Sequence, residues 1–486
     1  MGAGISMKRK WLAVGIILLF IGTGIIPAIA QESEKPSLPT SRGNWLYVGG
    51  SGPGNYTKIQ DAIDNATEGS TIFVFNGIYY ENIIIDKIIT LLGDNKNNTI
   101  IDGTNGNESV ITIKANSVCI EGFTISNSGD YGHGMFLRPN FNGISIIDNI
   151  FKNNNVAISL QSSHNTSISG NILIDNYHDA IGLINSSNNI IYRNAVINTN
   201  GSSIALSGNS NNNNVHSNTI NHSSFGITVT FSSNHNTISK NNIKNCEYGI
   251  DLSGAFNEVS SNMISDNKWG VFLVWYADYN TINNNTILNN INGVRTETHN
   301  SSNNTFFHNN FLNNTIHAYV NDDCIYMWDN GYPSCGNYWD DYTGDDAFWG
   351  QNQKMNGADG VGDIPRHISS GENQDRYPLM EPYAMTQLTI NISGGFGIKG
   401  KIRNVGNTTA FNVSWGITLT GGFILFGRDT LRVIPKPLVP GEEFMVKSNM
   451  ILGFGKTTLI MMLWADNAPY ISKSTPGTLF LFFIKI

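Results

Sequence analysis

Charge is scarce in this sequence. Among 486 residues there are 29 Lys and Arg and 37 Asp and Glu, for a formal net charge of -8. No segment gathers the cations into a basic stripe, which argues against nucleic acid as a partner. Cysteine is nearly missing, with four in all. That number fits an oxidising compartment without demanding a disulfide scaffold. A second long apolar run is also lacking, so a bundle of membrane helices is excluded. The closing run Leu479 to Ile486 is too short to span and reads as a final buried strand. Missing too is a 3.6-residue apolar period along the middle of the chain, which excludes a helical solenoid.

What is present begins with an export signal. Lys8, Arg9 and Lys10 precede the uncharged apolar run Trp11 to Ile26, and Ala28-Ile29-Ala30 supplies the small-x-small pattern before Gln31. The run is shorter than the ~20 residues of a span, which favours a cleaved signal over a retained anchor. Residues 1–30 are therefore expected to be a signal peptide and 31–43 a linker. Cys324 and Cys335 lie close together among Gly331, Pro333 and Gly336. A local disulfide is the expectation there, with two unlinked thiols as the alternative. Cys119 and Cys246 fall in different repeats and are expected unpaired.

Internal repetition dominates the sequence. "FNGISIIDNIFKNNNVAISLQSS" starts at Phe141, "HNTSISGNILIDNYHDAIGLINS" at His164 and "SNHNTISKNNIKNCEYGIDLSG" at Ser233. The shared skeleton is N-x-I-x-x-N-x-I, a short polar bend, then G-I-x-L. Its small residue recurs at Gly134, Ala157, Ala180, Ser203, Gly226, Gly249, Gly270 and Gly293, in steps of 23, 23, 23, 23, 23, 21 and 23. A propeller blade needs about 40 residues, nearly twice this period. Alternation by two places Ile, Val and Leu of each short strand inward. Asn and Gly at the bends tolerate a left-handed backbone, and stacked Asn can form ladders. These features predict a parallel β-helix of roughly ten coils. Its open end needs a cap, for which Ile59, Ala62, Ile63 and Ala66 form one face of a short helix.

The segment Tyr47 to Gly103, with "KIQDAIDNA", "STIFVFNGIYYENIII" and "ITLLGDNKNNTIIDG", resembles the opening of pectin-lyase-like β-helix proteins. The repeats resemble archaeal surface proteins with NosD-type, carbohydrate-binding and sugar-hydrolysis repeats. "GNYWDDYTGDD" (336–346), "NGADGVGDIP" (356–365) and "NQDRYPLM" (373–380) are similar to the end of the helix in those proteins. The resemblance covers about residues 44–385 and implies an all-β, right-handed, single-stranded parallel β-helix on a secreted or cell-surface protein. It says little about activity, since one fold hosts many functions. From residue 386 to 486 the alternating strands and Gly and Asn turns predict a small immunoglobulin-like β-sandwich.

Candidate sites follow from the outward columns of the G-I-x-L strand. Phe225, Tyr248 and Trp269 fall on adjacent coils about 4.8 Å apart, with Phe272, Trp275, Asp251 and Arg295 nearby. Aromatic rings with polar neighbours suit sugars, yet such a stack can equally serve only to stabilise coils. For catalysis, Asp175, His178 and Asp179 form the one dense acid/base group on the helix, and a polar bend explains them as well. Asp179 and Asp251 lie about 14 Å apart, too far to flank a glycosidic bond. Gly132-His133-Gly134 is similar to a polygalacturonase motif whose acidic companions are missing here. Asp345, Asp346, Asn356, Asp359 and Asp363 concentrate oxygen ligands that could hold structural calcium or form a solvated acidic loop. The NosD resemblance implies copper handling, but the ten His are scattered and no Met cluster accompanies them.

Two functions stay in view. One is a non-catalytic surface protein binding a polysaccharide, a cell-envelope glycan or another surface protein. The other is a secreted polysaccharide lyase or glycoside hydrolase. A NosD-like copper accessory role ranks after both, and no cofactor other than calcium is expected.

Overall fold

The computed structural model describes residues 45–486, except 105, 107, 231, 297–300, 322, 370–371, 385 and 466–467. The expected signal peptide and linker lie outside the described residues. From Trp45 the chain winds into a right-handed parallel β-helix of three faces. Ser145–Ile147, Ile150–Lys152 and Val156–Gln161 are the strands of one coil, on faces A, B and C. Face A is a 12-stranded sheet from Trp45–Val48 to Thr305–Phe307, so the stack has about twelve coils rather than ten. Faces B and C join into one 21-stranded sheet. The join lies where Ala195–Ser207 and Thr219–Val229 turn the corner unbroken.

Register keeps like residues stacked. Ile150 pairs with Ile172 and then Ala195 on face B. Ile158 pairs with Ile181 and then Ile204 on face C. The inward columns, including Ile146, Ile168 and Ile191 and also Phe151, Leu173 and Val196, are fully buried.

Each corner divides its work between two neighbouring residues. Between faces A and B, Asp148, Arg193, Ser217 and Lys240 take φ between 53° and 56°. The next residue is a buried Asn. Asn149, Asn171, Asn194, Asn218, Asn241, Asn262, Asn285, Asn309 and Asn337 form one continuous column. In each step the backbone N–H and Nδ2 of one Asn donate to Oδ1 of the Asn on the next coil. For Asn218 to Asn241 the distances are 2.9 and 3.0 Å. Nδ2 also donates to a carbonyl, that of Ile191, at 2.9 Å. A second ladder, Asn189, Asn213, Asn236, Asn257, Asn280 and Asn304, closes the C-to-A corner. Uncharged amides are thus buried with their hydrogen bonds satisfied, the condition for burial without a large penalty. The small column has a steric cause as well. A Cβ on Gly249 would stand 2.5 Å from the carbonyl oxygen of Gly270.

Both ends of the stack are covered. At the start, helix Ile59–Asn65 buries Ile59, Ala62 and Ile63 over the first coils. Lys58 offers no side-chain cap, and Glu81 takes its place, accepting from Ile59 and Gln60 N–H at 2.8 and 3.0 Å. At the far end Asn337 donates its N–H to Oδ2 of Asp375 at 2.8 Å. Trp339 Nε1 donates to the same oxygen at 2.9 Å. Asp375 therefore replaces the Asn of a coil that is not there. Any Cβ on Gly336 would collide with this carboxylate. This contact ties the two halves of the terminal signature, Gly336 to Trp339 and Asn373 to Pro378, to one another.

Two expectations are corrected here. Cys324 and Cys335 are not joined by a disulfide. Cys324 packs in the solenoid core, whereas Cys335 belongs to a separate cluster with Val361 and Tyr377. The closing segment is not a single buried strand but a tight hairpin, in which the end of Ala468–Leu481 turns back into Phe483–Lys485. Phe480, Leu481, Phe482 and Phe483 are exposed, and only Leu479 and Ile484 face the core.

The C-terminal region is a two-sheet antiparallel sandwich. Leu388–Ser393, Lys399–Asn404 and Glu443–Lys447 form the smaller sheet. The larger is built around the hairpin Leu452–Ala465 and Ala468–Leu481. Ile390 and Ile402 from one sheet and Ile417, Leu459 and Met461 from the other share one core. The sandwich lies against face B of the solenoid. Ile460 packs on Ile150 and Ile172, Arg193 stacks over Trp464 at 5.3 Å, and Thr219 Oγ1 donates to the Tyr470 carbonyl at 3.1 Å.

Candidate carbohydrate-binding face

Face C brings the expected aromatic column together. Phe225, Tyr248 and Trp269 are direct Cα partners on three successive coils. Phe225 and Tyr248 stack with centroids 4.6 Å apart and planes 11° apart. Tyr248 and Trp269 are 4.3 Å apart and tilted by 37°. Phe272 inserts beside both, 5.1 Å from Tyr248 and 5.4 Å from Trp269, and is itself buried. Lys268 Nζ lies 4.0 Å over the Trp269 ring and also pairs with Glu247 at 3.0 Å. The rings therefore turn their faces to one another and to a cation, leaving edges toward solvent. Trp275, 64% exposed, presents far more ring surface.

Asp251 and Arg295 flank Phe272 in register. Desolvation pushes the Asp251 carboxyl up to about 6, and its Oδ1 is buried without a hydrogen-bond partner. Such a carboxyl among rings has the environment of a general acid. Its in-register neighbours are Thr228 and Phe272, so no second carboxylate stands beside it in its column. Arg295 lies over Tyr319 at 4.9 Å. Ser159, Ala205 and Thr228, in the same column as Asp251, are nearly inaccessible, so this column is a shallow floor rather than a row of projecting groups.

The other expected groups are placed differently. Asp175 sits at a left-handed bend, where it accepts from Asn198 at 3.0 Å. Asp179 accepts from Ser202 N–H at 2.8 Å, and His178 is exposed at the same bend. These are the bonds of a polar corner. The expected calcium ligands are not gathered. Asp346 accepts from the backbone of Asp359 and Gly360, and Asp363 from Ala347 and Phe348. Asp359 accepts from Gly350, Gln353 and Val361. The Asp345 carbonyl accepts from Asp363 N–H, and exposed Asn356 pairs with Phe348 in a short hairpin. Their carboxylates cap turns, which is why the segment is acidic.

Among the described residues, the group with metal-ligand spacing is His317, Asp340 and Asp341. His317 Nε2 lies 2.9 Å from Asp340 and 3.4 Å from Asp341. The Asn column at this corner decides its chemistry. Asn314 Oδ1 accepts from Asn290, so its Nδ2 must donate to His317 Nδ1, at 3.2 Å. Nδ1 is then the acceptor, and Nε2 keeps its proton for Asp340. Asp341 is held by Arg366 at 2.8 Å. Copper requires an imidazole lone pair at the site and prefers soft or nitrogen donors. This set offers neither, and copper does not fit it.

Sequence reasoning missed a cleft of about 660 Å³ between the solenoid and the sandwich. Lys96, Asp148 and Arg193 line one wall and Asp429, Ile460 and Trp464 the other. Residues hundreds of positions apart meet there, and the only local signal was the outward apolar pair Ile150 and Ile172.

Two family profiles match this chain. "Right handed beta helix region" matches residues 88–243, and "Periplasmic copper-binding protein (NosD)" matches 208–344. The solenoid is a right-handed parallel β-helix, similar over these residues to both families. A cell surface glycoprotein of Methanothermus fervidus is 34% identical over 147 residues, which is 30% of this chain and 21% of that protein. A probable pectinesterase/pectinesterase inhibitor of Arabidopsis thaliana is 28% identical over 149 residues, 28% of this chain and 23% of that one. The chain thus spans under a quarter of the curated relatives it matches. Among solved structures, the Azotobacter vinelandii mannuronan C-5 epimerase AlgE6 A-module has a TM-score of 0.43 at 15% identity, covering 55% of this chain and 94% of that one. XylC with xylose has 0.45 at 11%, covering 89% and 100%. The region matched by the copper-binding profile contains His317, Asp340 and Asp341, the set that does not suit copper.

Proposed function

We propose that this is an exported cell-surface β-helix protein that binds carbohydrate of the cell envelope without cleaving it. The observation that carries this reading is the face C column itself. The ring edges of Phe225, Tyr248 and Trp269 stand in register beside Asp251 and Arg295, and Trp275, just beyond the same strand, offers its 64% exposed ring, so apolar ring surface and both signs of charge occupy one strip. Sugar rings need that combination, with C–H faces on aromatic groups and hydroxyls on polar ones. Similarity to a cell surface glycoprotein supports the location. Among the described residues no helix is long and apolar enough to cross a membrane.

Binding of isolated envelope polysaccharide should be measured by calorimetry for the wild type and for Trp275→Ala and Trp269→Ala. Loss in both variants is expected, and unchanged heats in both would reduce the column to a stabilising stack. The enzymatic reading is favoured by one observation, the buried Asp251 Oδ1 that has no hydrogen-bond partner among the rings. Release of reducing ends or unsaturated uronates that disappears in Asp251→Asn would replace binding by catalysis.

A further inference from the structure

The sandwich carries a feature that neither the helix nor its glycan face explains. Phe423, Phe454, Phe480, Phe483 and Phe396 are consecutive Cα partners across five neighbouring strands. In-register residues point to one side of a sheet, so five phenylalanines form a row about 19 Å wide. All five are exposed, Phe396 by 74% and Phe423 and Phe480 by 64% each. Edge-to-face contacts at 5.7 Å link Phe454 to Phe480 and Phe396 to Phe483. Those contacts leave most of the ring surface in water, which a soluble protein rarely tolerates over a contiguous patch.

The row immediately behind it has a different character. Two residues along the same strands, on the same side, Lys456 partners Thr478 and Thr478 partners Lys485. Lys456 and Lys485 form no ion pair with the described residues, whereas Lys401 and Lys436 are paired with Glu443 and Glu442. Residues 386–486 hold ten Lys and Arg against four Asp and Glu, a balance of +6 in a chain whose total is -8. An apolar row in front of a basic row matches the depth profile of an anionic lipid surface, acyl chains first and phosphates about 7 Å further out.

We propose that this edge of the sandwich is a membrane-docking surface. The five phenylalanines enter the acyl boundary of an anionic bilayer, and Lys456 and Lys485 contact its phosphates. A second copy of the chain fits less well, because pairing two such edges would bring two basic domains together. The Phe row belongs to the larger sheet, on whose central strand Trp464 meets Arg193 of the solenoid. Ten residues along that strand separate Trp464 from Phe454, roughly 33 Å at the rise of a strand. Docking there holds the helix beside the membrane and leaves face C to meet glycans.

The test is vesicle flotation of the exported protein. Phosphatidylcholine vesicles are compared with an equal mixture of phosphatidylcholine and phosphatidylglycerol. Wild type is expected to float with the anionic vesicles and to be released by salt. Phe423→Ser/Phe480→Ser/Phe483→Ser should stay at the bottom. Lys456→Glu/Lys485→Glu, which touches no packed residue, should bind about a hundredfold more weakly or worse. Wild type that does not float overturns the proposal, as does a triple variant that floats equally. Equal flotation on neutral vesicles removes the basic row from it. If wild type dimerises in vesicle-free ultracentrifugation and the triple variant does not, the row is a self-association surface and the membrane reading fails.

Discussion

The solenoid and the sandwich handle polar and apolar groups in opposite ways. Inside the solenoid, polar groups are taken in: columns of up to nine Asn line its corners, each amide bonded to the next. Its inward apolar columns are closed to water. The sandwich has an ordinary apolar core but leaves five phenylalanines outside and gathers cations behind them. Where each coil repeats the last, every position is bound by the same steric and hydrogen-bonding demand, which leaves little freedom for a specific partner. Freedom returns where repetition breaks, at the face C aromatics, at the terminal cap and on the sandwich.

The contrast breaks most visibly if a ladder rung is removed. Asn241→Ala leaves the N–H of Asn218 without its acceptor, takes one of several acceptors from Asn218 Nδ2 and deprives the Val215 carbonyl of a donor. At about 1–3 kcal/mol for each of the two orphaned buried groups, the Asn218 N–H and the Val215 carbonyl, the loss should be roughly 2–6 kcal/mol. Asn391→Ala, on an exposed sandwich strand, should cost almost nothing. Urea midpoints of the two variants measure the difference, and equal midpoints would deny the ladder its role.

A second effect concerns pH. Burial pushes Asp375 from its ordinary 3.8 up to about 7. Between those values the folded chain holds a proton that the unfolded chain has released. Stability from this group is therefore complete below about pH 4 and falls as pH rises toward 7. Melting temperatures across that window should decline in wild type and flatten in Asp375→Asn. A slope that persists in the variant would place the titration elsewhere.

The smallest effect tests how the regions are joined. Ile460→Ser exposes the contact with Ile150 and Ile172 and should weaken docking by about 2 kcal/mol. Faster hydrogen exchange at Ile150 and Ile172, with the solenoid melting as before, is the expected outcome. Protection left intact would mean that the contact contributes little.

Much of the solenoid could be read from residues alone, because stacking imposes a fixed step. The recurrence from Gly134 to Gly293 located the coils; at Gly249 an added Cβ would stand 2.5 Å from a carbonyl oxygen of the next coil, whereas Ala157, Ala180 and Ser203 fit a small side chain at the same column. Asn at the bends was read as one function, whereas Asp148 takes the left-handed turn and Asn149 enters the ladder. The sandwich docking was hidden because Ile150 and Ile172 look like any outward strand residues. The closing run looked buried because a row of exposed phenylalanines has the same sequence pattern as a core strand. At the site, the in-register aromatics followed from the repeat. The buried Oδ1 of Asp251 and the proton position on His317 depend on neighbours from other coils.

The ladders also have a direction. Every rung turns its C=O toward the first coil and its NH2 toward the last. Amide dipoles of about 3.5 D each therefore add along the axis, as they do in an α-helix. The last coil becomes the electrically positive pole of the rod. It is there that one column ends on the Asp375 carboxylate and another on the lone pair of His317. An anion or an acceptor is the natural terminator at that pole, so a coil could be gained or lost in mid-stack while these two groups had to stay.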